Sequence, residues 1–397
     1  MKSRQTKGQP GLLSGNIRTM PASFYRSVDQ YELSLEKIFA RSWQFLGTQE
    51  SLQAESATAE NKPSPSLTEP VSLTEPAPRP EDETCLVPLT LLEGSLNEPL
   101  LLVKGKNDLS ILSNVCTHRG SLLTEKACRL SASVSSMRCR YHGRRFALDG
   151  TCLSAPGFEE AQRFPGPADN LPRAAMSKLG PFIFAGIEPL YSLADLLGDI
   201  PERLSFLPLE KFKFAPELSS DYFIDAHWAL YVDNYLEGLH VPFVHPSLGV
   251  LLDTKAYRTE LQKMGNLQVG VASRPQDAFV LPPQSPDYGQ LIAAYYYWLF
   301  PNLMLNFYPW GLSVNIVMPL GHNRTRVRFL TYVWKEELFG NYSVPEIKQT
   351  ELEDEAVVHL VQKGIQSRLY NSGRYSPTWE QGVYQFHKLI KTFLAGS

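Results

Sequence analysis

The sequence predicts an α+β protein with two domains, an all-β module followed by a domain of mixed helices and strands. The chain has 397 residues, about two to three times the length of a typical single domain. Between Cys85 and Phe184, short strand patterns are separated by turn signals. After Leu190, helix-like segments alternate with strand-like segments.

Turn signals divide the first domain into short strands. The tetrapeptide Gly-Lys-Asn-Asp separates two apolar runs and predicts a hairpin. The dipeptide Asp149-Gly150 is typical of a second hairpin turn. The predicted strands are Leu100–Val103, Ser110–Val115, Arg144–Leu148 and Gly180–Gly186.

The second domain combines helical and extended patterns. The predicted helices are Trp228–His240, Val344–Leu369 and Glu380–Leu394. The predicted strands are Tyr295–Phe300, Leu303–Tyr308, Leu312–Met318 and Arg326–Trp334. We therefore expect a flexible tail at residues 1–20, an N-terminal helix at 21–44, the first domain at 45–188 and the second at 189–397.

A segment of unusual composition interrupts the first domain. Residues 53–84 are rich in Pro, Ser, Thr and Glu and contain Ser-Leu-Thr-Glu-Pro twice. Such a segment buries too little apolar surface to offset its chain entropy, so we expect a disordered insert.

Composition excludes several functional classes. The net charge is -3, and no run of Lys or Arg forms a nucleic-acid footprint. The longest apolar stretch, Leu291–Phe300, is too short to span a bilayer, and the N-terminus is polar, so we expect a cytoplasmic protein that binds neither membrane nor nucleic acid. Five cysteines in so long a chain do not indicate a disulfide framework. Metal binding is the better explanation for some of them.

Two short segments carry metal-ligating residues in matching pairs. Cys116-Thr117-His118 and Cys139-Arg140-Tyr141-His142 each place one thiolate and one imidazole on a turn after a strand. Two Cys on one iron and two His on the other are the ligands of a Rieske [2Fe–2S] cluster. A structural zinc site with Cys₂His₂ ligands is the alternative, although zinc sites more often pair like residues within each half.

A second constellation lies about a hundred residues downstream. Glu237 and His240 are three residues apart and would share a helix face. Pro242 would end that helix, so His245 could turn back toward His240. Two imidazoles and one carboxylate form the facial triad of non-haem Fe(II) oxygenases, which leaves positions open for O₂ and substrate.

Together these motifs resemble the α subunit of Rieske non-haem iron oxygenases, the ring-hydroxylating oxygenase family. The similarity runs from about Phe24 to Phe393 and is greatest to the choline, glycine betaine and carnitine monooxygenases. Besides the two Rieske halves, its motifs are Asn-Tyr-Leu-Glu-x-x-His-x-Pro-x-x-His, Glu353-Asp354, Gln362-Lys363-Gly364, Gly373-Arg374-Tyr375, Glu380-x-Gly382 and Phe386-His387. The resemblance implies an N-terminal Rieske domain and an α+β helix-grip (START-like) catalytic domain.

The resemblance also implies roles for particular residues. Cys116, His118, Cys139 and His142 would hold the cluster. Asp354 would join His240 and His245 as the third iron ligand, with Glu353 as the fallback. Glu237 would carry electrons from the Rieske histidine of a neighbouring subunit to the iron, as a family carboxylate at this position does. Asn234 and Arg119 are candidate supporting groups near the metals.

The implied cofactors and partners follow from the same resemblance. The cofactors are the Rieske cluster and mononuclear Fe(II), with O₂ as co-substrate. No two glycines are spaced as Gly-x-Gly, so a dinucleotide-binding fingerprint is missing. NAD(P)H would therefore act only through a separate reductase or ferredoxin. The family also implies a homotrimer.

Substrate choice stays open at this point. An aromatic-rich region is expected to wall the pocket, and it suits either a quaternary ammonium ion or an aromatic ring; its residues are Tyr295, Tyr296, Tyr297, Trp298, Phe307, Tyr308 and Trp310. The leading hypothesis is hydroxylation of a small organic substrate, with a quaternary ammonium or N-methyl compound as the candidate. The alternatives are an aromatic-ring dioxygenase and an electron-transfer Rieske protein with a vestigial iron site.

Overall fold

The structure is a computed structural model that describes residues 17–52, 84–105, 108–130, 134–245, 256–339 and 344–396. The expected tail up to residue 16 and the expected disordered insert, apart from Thr84, lie outside the described residues. The chain divides into two compact units. One is Gln44–Glu188, and the other joins Met1–Trp43 with Pro189–Ser397.

The first unit is built from short antiparallel strands. They are β1 (Gln44–Thr48), β2 (Thr84–Leu91), β3 (Glu98–Lys104), β4 (Leu109–Ser113), β5 (Cys128–Leu130), β6 (Ser136–Arg138), β7 (Arg145–Ala147), β8 (Cys152–Ser154), β9 (Ala175–Leu179) and β10 (Phe182–Gly186). They form three sheets, in the orders β4-β3-β2-β5, β6-β7-β8 and β1-β10-β9. Both predicted hairpins are present, as β3–β4 and β7–β8.

The core of this unit lies directly beneath the candidate cluster loops. Leu101 and Leu112, from neighbouring strands, are fully buried with Phe146. Cys116 and Cys139 belong to the same buried cluster. Packing of two hairpins against one core therefore fixes where both thiols lie.

The second unit mixes helices and strands. Its helices are α1 (Ala22–Arg26), α2 (Val28–Ser34), α3 (Leu193–Leu197), α4 (Ile200–Arg203), α5 (Trp228–Tyr235), α6 (Val241–Val244), α7 (Glu336–Phe339), α8 (Val344–Gly364) and α9 (Gln381–Ala395), with a π-helical turn at Leu35–Phe39. Its strands are β11 (Lys213–Phe214), β12 (Ser220–Ile224), β13 (Arg258–Leu261), β14 (Gly265–Val271), β15 (Ile292–Leu299), β16 (Leu303–Tyr308), β17 (Gly311–Gly321) and β18 (Arg324–Val333). The predicted α+β class is confirmed.

One antiparallel sheet organises this unit, in the order β11-β18-β17-β16-β15-β14-β13, with β12 also paired to β18. Helix α9 packs against β13 and β14, and α5 packs against α8 and β17. Because side chains alternate along a strand, the aromatic run on β15 is divided between two faces. Tyr295 and Tyr297 point to one face, where their hydroxyls donate to Asp287 and Asp199. Tyr296 points to the other.

The predicted helix Trp228–His240 is wrong in its second half, because α5 ends at Tyr235. The Glu237 carboxylate accepts hydrogen bonds from the backbone N–H groups of Leu239 and His240. An acidic side chain that binds nearby backbone in this way competes with the helical pattern. Pro242 therefore lies in the first turn of α6 instead of ending a helix, and His245 follows that short helix directly.

No helix of the described residues combines the length and the apolar character that a membrane crossing needs.

Candidate metal centres

The two predicted Rieske loops have the same backbone geometry. In the first, the amide of Gly120 donates to the carbonyl of Cys116 at 3.0 Å, and in the second Gly143 donates to Cys139 at 3.0 Å. Both glycines have positive φ, 70° and 77°, a conformation that costs glycine little. The chain therefore turns sharply after each Cys-to-His segment.

These loops bring the four predicted cluster ligands together. Cys116 and Cys139 are each 2% exposed, and their thiols are close enough to interact. The rings of His118 and His142 have centroids 4.7 Å apart. The Nδ1 atom of His118 is buried and has no hydrogen-bond partner among the described residues. A buried ring nitrogen without a partner fits a metal ligand, so these side chains suit a two-Cys, two-His cluster.

The predicted iron ligands also converge, although they come from distant parts of the sequence. Ligand atoms of His240, His245 and Asp354 all lie within 4.8 Å of one another. Asp354 Oδ1 is 3.0 Å from Nε2 of His245 and 3.6 Å from Nε2 of His240. Two imidazole nitrogens and one carboxylate oxygen around one point are the donor set of a mononuclear iron site.

The other nitrogen of each histidine is held by a carboxylate. Nδ1 of His240 lies 2.6 Å from Glu237 Oε1, and Nδ1 of His245 lies 2.8 Å from Glu353 Oε2. A carboxylate on Nδ1 fixes the proton there and leaves Nε2 free for a metal. Glu353, the predicted fallback ligand, thus lies on the far side of His245 from Asp354.

Helices α5 and α8 bring the carboxylate ligand to the histidines. The amide nitrogen of Asn234 on α5 donates to Asp354 Oδ1 at 2.6 Å, as a predicted supporting group should. The other candidate, Arg119, has an exposed side chain. Burial lowers the pKa of His245, but the carboxylates of Asp354 and Glu353 outweigh burial and raise it above its ordinary value.

The sheet face below α5 is lined by neutral polar groups. Tyr296 pairs across the strands with Gln268 and Asn306. Tyr235, at the end of α5, donates to Asn306 at 2.6 Å, and Gln268 donates to the carbonyl of Tyr235 at 2.8 Å. Burial raises the pKa of Tyr296 to about 12, so its hydroxyl stays neutral. Of the predicted aromatic region, Tyr308 lies beside Tyr296, with ring centroids 5.9 Å apart.

Sequence reasoning missed a buried network beside α5. Tyr25 donates to Asp233 Oδ2 at 2.8 Å, and Nε2 of His387 lies 2.8 Å from Asp233 Oδ1. Nδ1 of His387 lies 2.6 Å from the hydroxyl of Tyr375. The motif Phe386-His387 marked the position without a role, since its partners lie far away in the sequence.

Comparison with protein families matches both halves of the chain. Residues 92–165 match the Rieske [2Fe-2S] domain, and residues 209–396 match the catalytic domain of the ring hydroxylating alpha subunit. The chain is a Rieske oxygenase α subunit. The predicted cofactors, a Rieske cluster and a mononuclear iron that uses O₂, are confirmed by these two matches. The chain is accordingly an oxygenase, and it takes its electrons from a partner.

Several similar proteins are choline or carnitine monooxygenases. The chloroplastic choline monooxygenase of Beta vulgaris is 25% identical over 95% of this chain and 77% of that protein. The carnitine monooxygenase oxygenase subunit of Escherichia coli (strain K12) is 26% identical over 94% of this chain and 92% of that protein. A solved quaternary ammonium Rieske monooxygenase, described for carnitine oxidation by gut microbiota and inter-subunit electron transfer, shares the fold with a TM-score of 0.68, at 22% identity over 95% of this chain and 96% of the other.

Proposed function

We propose that this Rieske oxygenase hydroxylates a small quaternary ammonium compound at an N-methyl group, with residues 45–188 as the cluster domain and 189–397 as the catalytic domain. The observation that carries the catalytic assignment is the convergence of His240, His245 and Asp354 within 4.8 Å. The similarity to choline and carnitine monooxygenases supports the substrate class.

Three side chains would hold the iron. Nε2 of His240, Nε2 of His245 and a carboxylate oxygen of Asp354 are the donors, and Asn234 holds Asp354 in place by its hydrogen bond. This set leaves positions open for O₂ and for substrate. When bound, the iron supplies the activation of O₂ and the cluster supplies single electrons.

Glu237 would connect the two metal centres across a subunit boundary. One carboxylate oxygen binds Nδ1 of His240, and the other accepts backbone hydrogen bonds, including one from His240 N at 3.2 Å. The carboxylate is therefore fixed next to an iron ligand. Exposed His142 of a neighbouring copy would donate to it, so that one hydrogen-bonded path joins cluster and iron.

The overall reaction balances as a monooxygenation. A substrate C–H bond, O₂, two electrons and two protons give an alcohol and water. On an N-methyl carbon of a quaternary ammonium ion the product is an N-hydroxymethyl ammonium ion, whose C–N bond breaks to release formaldehyde, a tertiary amine and a proton. The electrons would come from a separate NAD(P)H-dependent reductase or a ferredoxin.

The neutral sheet face near α5 suits a cationic substrate. Aromatic faces attract quaternary ammonium ions, by about 0.5–2 kcal/mol for each ring when the site is dry. Tyr296 and Tyr308 offer such rings. The amides of Gln268 and Asn306 are already paired with Tyr235, which leaves the rings as the main recognition surface.

The iron assignment is tested by Asp354→Ala. We expect loss of the mononuclear iron, since one of three ligands is removed, with an unchanged Rieske absorption spectrum. Glu351→Ala, three residues earlier on α8, is the matched control and should keep its iron. Full iron content in Asp354→Ala would remove Asp354 from the ligand set.

The substrate class is tested with the reduced, iron-loaded enzyme and O₂. Choline, carnitine and betaines are compared with benzoate-like and phenylpropanoid acids, and products are identified by mass spectrometry. Formaldehyde from the first group is expected, whereas an amine-derived aldehyde would keep the substrate class and place the oxidation on another carbon. A cis-diol or phenol from the second group would replace the proposal by ring hydroxylation.

We further propose a homotrimer, for which the family resemblance is the support. Mixing cluster-deficient Cys116→Ser subunits with iron-deficient His240→Ala subunits should restore turnover, because electrons would pass from one copy to the next. Sedimentation would report the trimer directly. Inactive mixed trimers would rule out this route. The cytoplasmic location stays a prediction.

A further inference from the structure

A buried arginine lies behind the cluster loops. Arg144 follows Gly143 in the second loop, and its side chain is only 3% exposed. Its guanidinium packs against two neighbouring rings, with Cζ 5.1 Å from the centroid of Phe158 and 5.1 Å from that of Phe164. A fully buried cation in a small β-domain is costly unless it is paired, so its position calls for a physical reason.

Arg144 contacts the cluster site from two directions. Nη1 donates to the hydroxyl of Thr117 at 3.0 Å, and Thr117 lies between Cys116 and His118. The Phe158 ring that covers Arg144 meets the ring of His118 edge-on, with centroids 5.3 Å apart. The Thr117 hydroxyl and the Phe158 ring therefore each connect Arg144 to the first loop.

The positive charge of Arg144 is only partly compensated. Its carboxylate partner is Asp169, at 3.3 Å, and the Asp169 side chain is itself 27% exposed. The Nε atom is buried and has no hydrogen-bond partner among the described residues. Arg203, in the other unit, is buried as well but pairs with three carboxylates, all at 2.7 Å or less. Solvent screens the charge of Asp169 more than that of Arg144, so the positive field of Arg144 in this low-dielectric region is only partly cancelled.

We propose that Arg144 raises the reduction potential of the Rieske cluster and so makes the cluster a better electron acceptor. Two thiolates, two neutral imidazoles, two sulfides and two ferric ions sum to zero charge. One electron from the donor protein reduces one ferric ion to ferrous and leaves the cluster with one negative charge. A nearby cation stabilises that reduced state, and its field is strongest where water is excluded. Thr117, held by Arg144, orients the loop between two ligands.

The proposal rests on the assignment of the cluster ligands, which the wild-type protein tests separately. A Rieske-type electron paramagnetic resonance spectrum of the reduced wild-type enzyme supports the ligands, and its absence refutes them. The midpoint potential of the cluster, followed by the same signal, then reports on Arg144. This readout does not depend on turnover.

A set of variants distinguishes an effect of the Arg144 charge on the potential from an effect of altered structure. Arg144→Gln removes the charge and should lower the midpoint potential by about 59 mV. For one electron this is about a tenfold fall in the ratio of reduced to oxidised cluster at a fixed solution potential. Arg144→Lys keeps a cation but loses the planar guanidinium, so it should lower the potential less than Arg144→Gln does. Asp169→Asn removes the opposing charge, keeps an oxygen acceptor and should shift the potential upward. Arg145→Gln removes an exposed charge one residue later and should change the potential by less than about twofold, because solvent screens it.

Opposite shifts in Arg144→Gln and Asp169→Asn are the expected signature, since a merely structural defect would move both variants in the same direction. An unchanged potential in Arg144→Gln, or a lowered one in Asp169→Asn, would overturn the proposal. If Arg144→Gln fails to hold a cluster, Asp169→Asn alone decides by the direction of its shift. Loss of the cluster from both variants would show a structural role and overturn the proposal too.

Discussion

The hydrogen bond between Glu353 and His245 gives a sharp test of how the iron site is supported. His245 is 1% exposed, and Glu353 Oε2 lies 2.8 Å from its Nδ1. Glu353→Ala would leave a buried N–H without a partner. Hydrogen bonds to charged groups contribute about 1.5–3 kcal/mol, and about 1.4 kcal/mol is a tenfold change in affinity. We therefore expect iron to bind about 10- to 100-fold more weakly, the range usual for such supporting carboxylates.

The assay is an Fe(II) titration under anaerobic conditions against a chelator of known affinity. Glu353→Gln should lose less affinity than Glu353→Ala, because the amide oxygen can still accept from Nδ1–H. Glu355→Gln, which removes a charge from the same turn of α8, is the matched control. The Rieske spectrum should not change in any of them. Unaltered iron affinity in Glu353→Ala would refute the reasoning, whereas complete iron loss, as in Asp354→Ala, would make Glu353 itself a ligand.

Two further outcomes are expected. Glu237→Gln should keep cluster and iron but slow electron transfer from the reduced cluster to the iron by at least about tenfold, measured by stopped-flow absorbance; wild-type transfer rates in that variant would argue against the proposed path. His227 immediately precedes α5, and burial lowers its pKa to about 3. Between about pH 6.5 and pH 3 the native state therefore binds fewer protons than the unfolded state, so the stability of the protein falls as the pH falls. At pH 5 this term is about 2 kcal/mol relative to pH 8, and His227→Asn should remove it from urea unfolding curves; an equal acid sensitivity in both proteins would contradict the assignment.

Local spacing in the sequence determined much of the metal chemistry. Cys116 and His118, like Cys139 and His142, lie on one turn each, so the members of each pair stay close whatever the rest of the fold does. Hairpin signals such as Asp149-Gly150 likewise place β7 beside β8. Such features involve neighbours in the chain, and backbone geometry alone relates them.

Helix ends and strand faces were less predictable. The Glu237 carboxylate ends the helical pattern by binding backbone N–H groups at Leu239 and His240, and a pattern of apolar spacing carries no sign of that competition. Similarly, the aromatic run on β15 is continuous in sequence, yet alternation sends Tyr295 and Tyr296 to opposite faces.

What the sequence by itself determined was the set of residue types that metals require and the α+β order of the two domains. Only the tertiary structure decided which carboxylate of the pair Glu353-Asp354 meets Nε2 and which meets Nδ1 of His245. Adjacent residues on a helix point about 100° apart, so the packing of α8 against α5 assigns their roles. The role of Arg144 was also not predictable from the sequence, because its burial against Phe158 and Phe164 depends on contacts between separate segments of the chain.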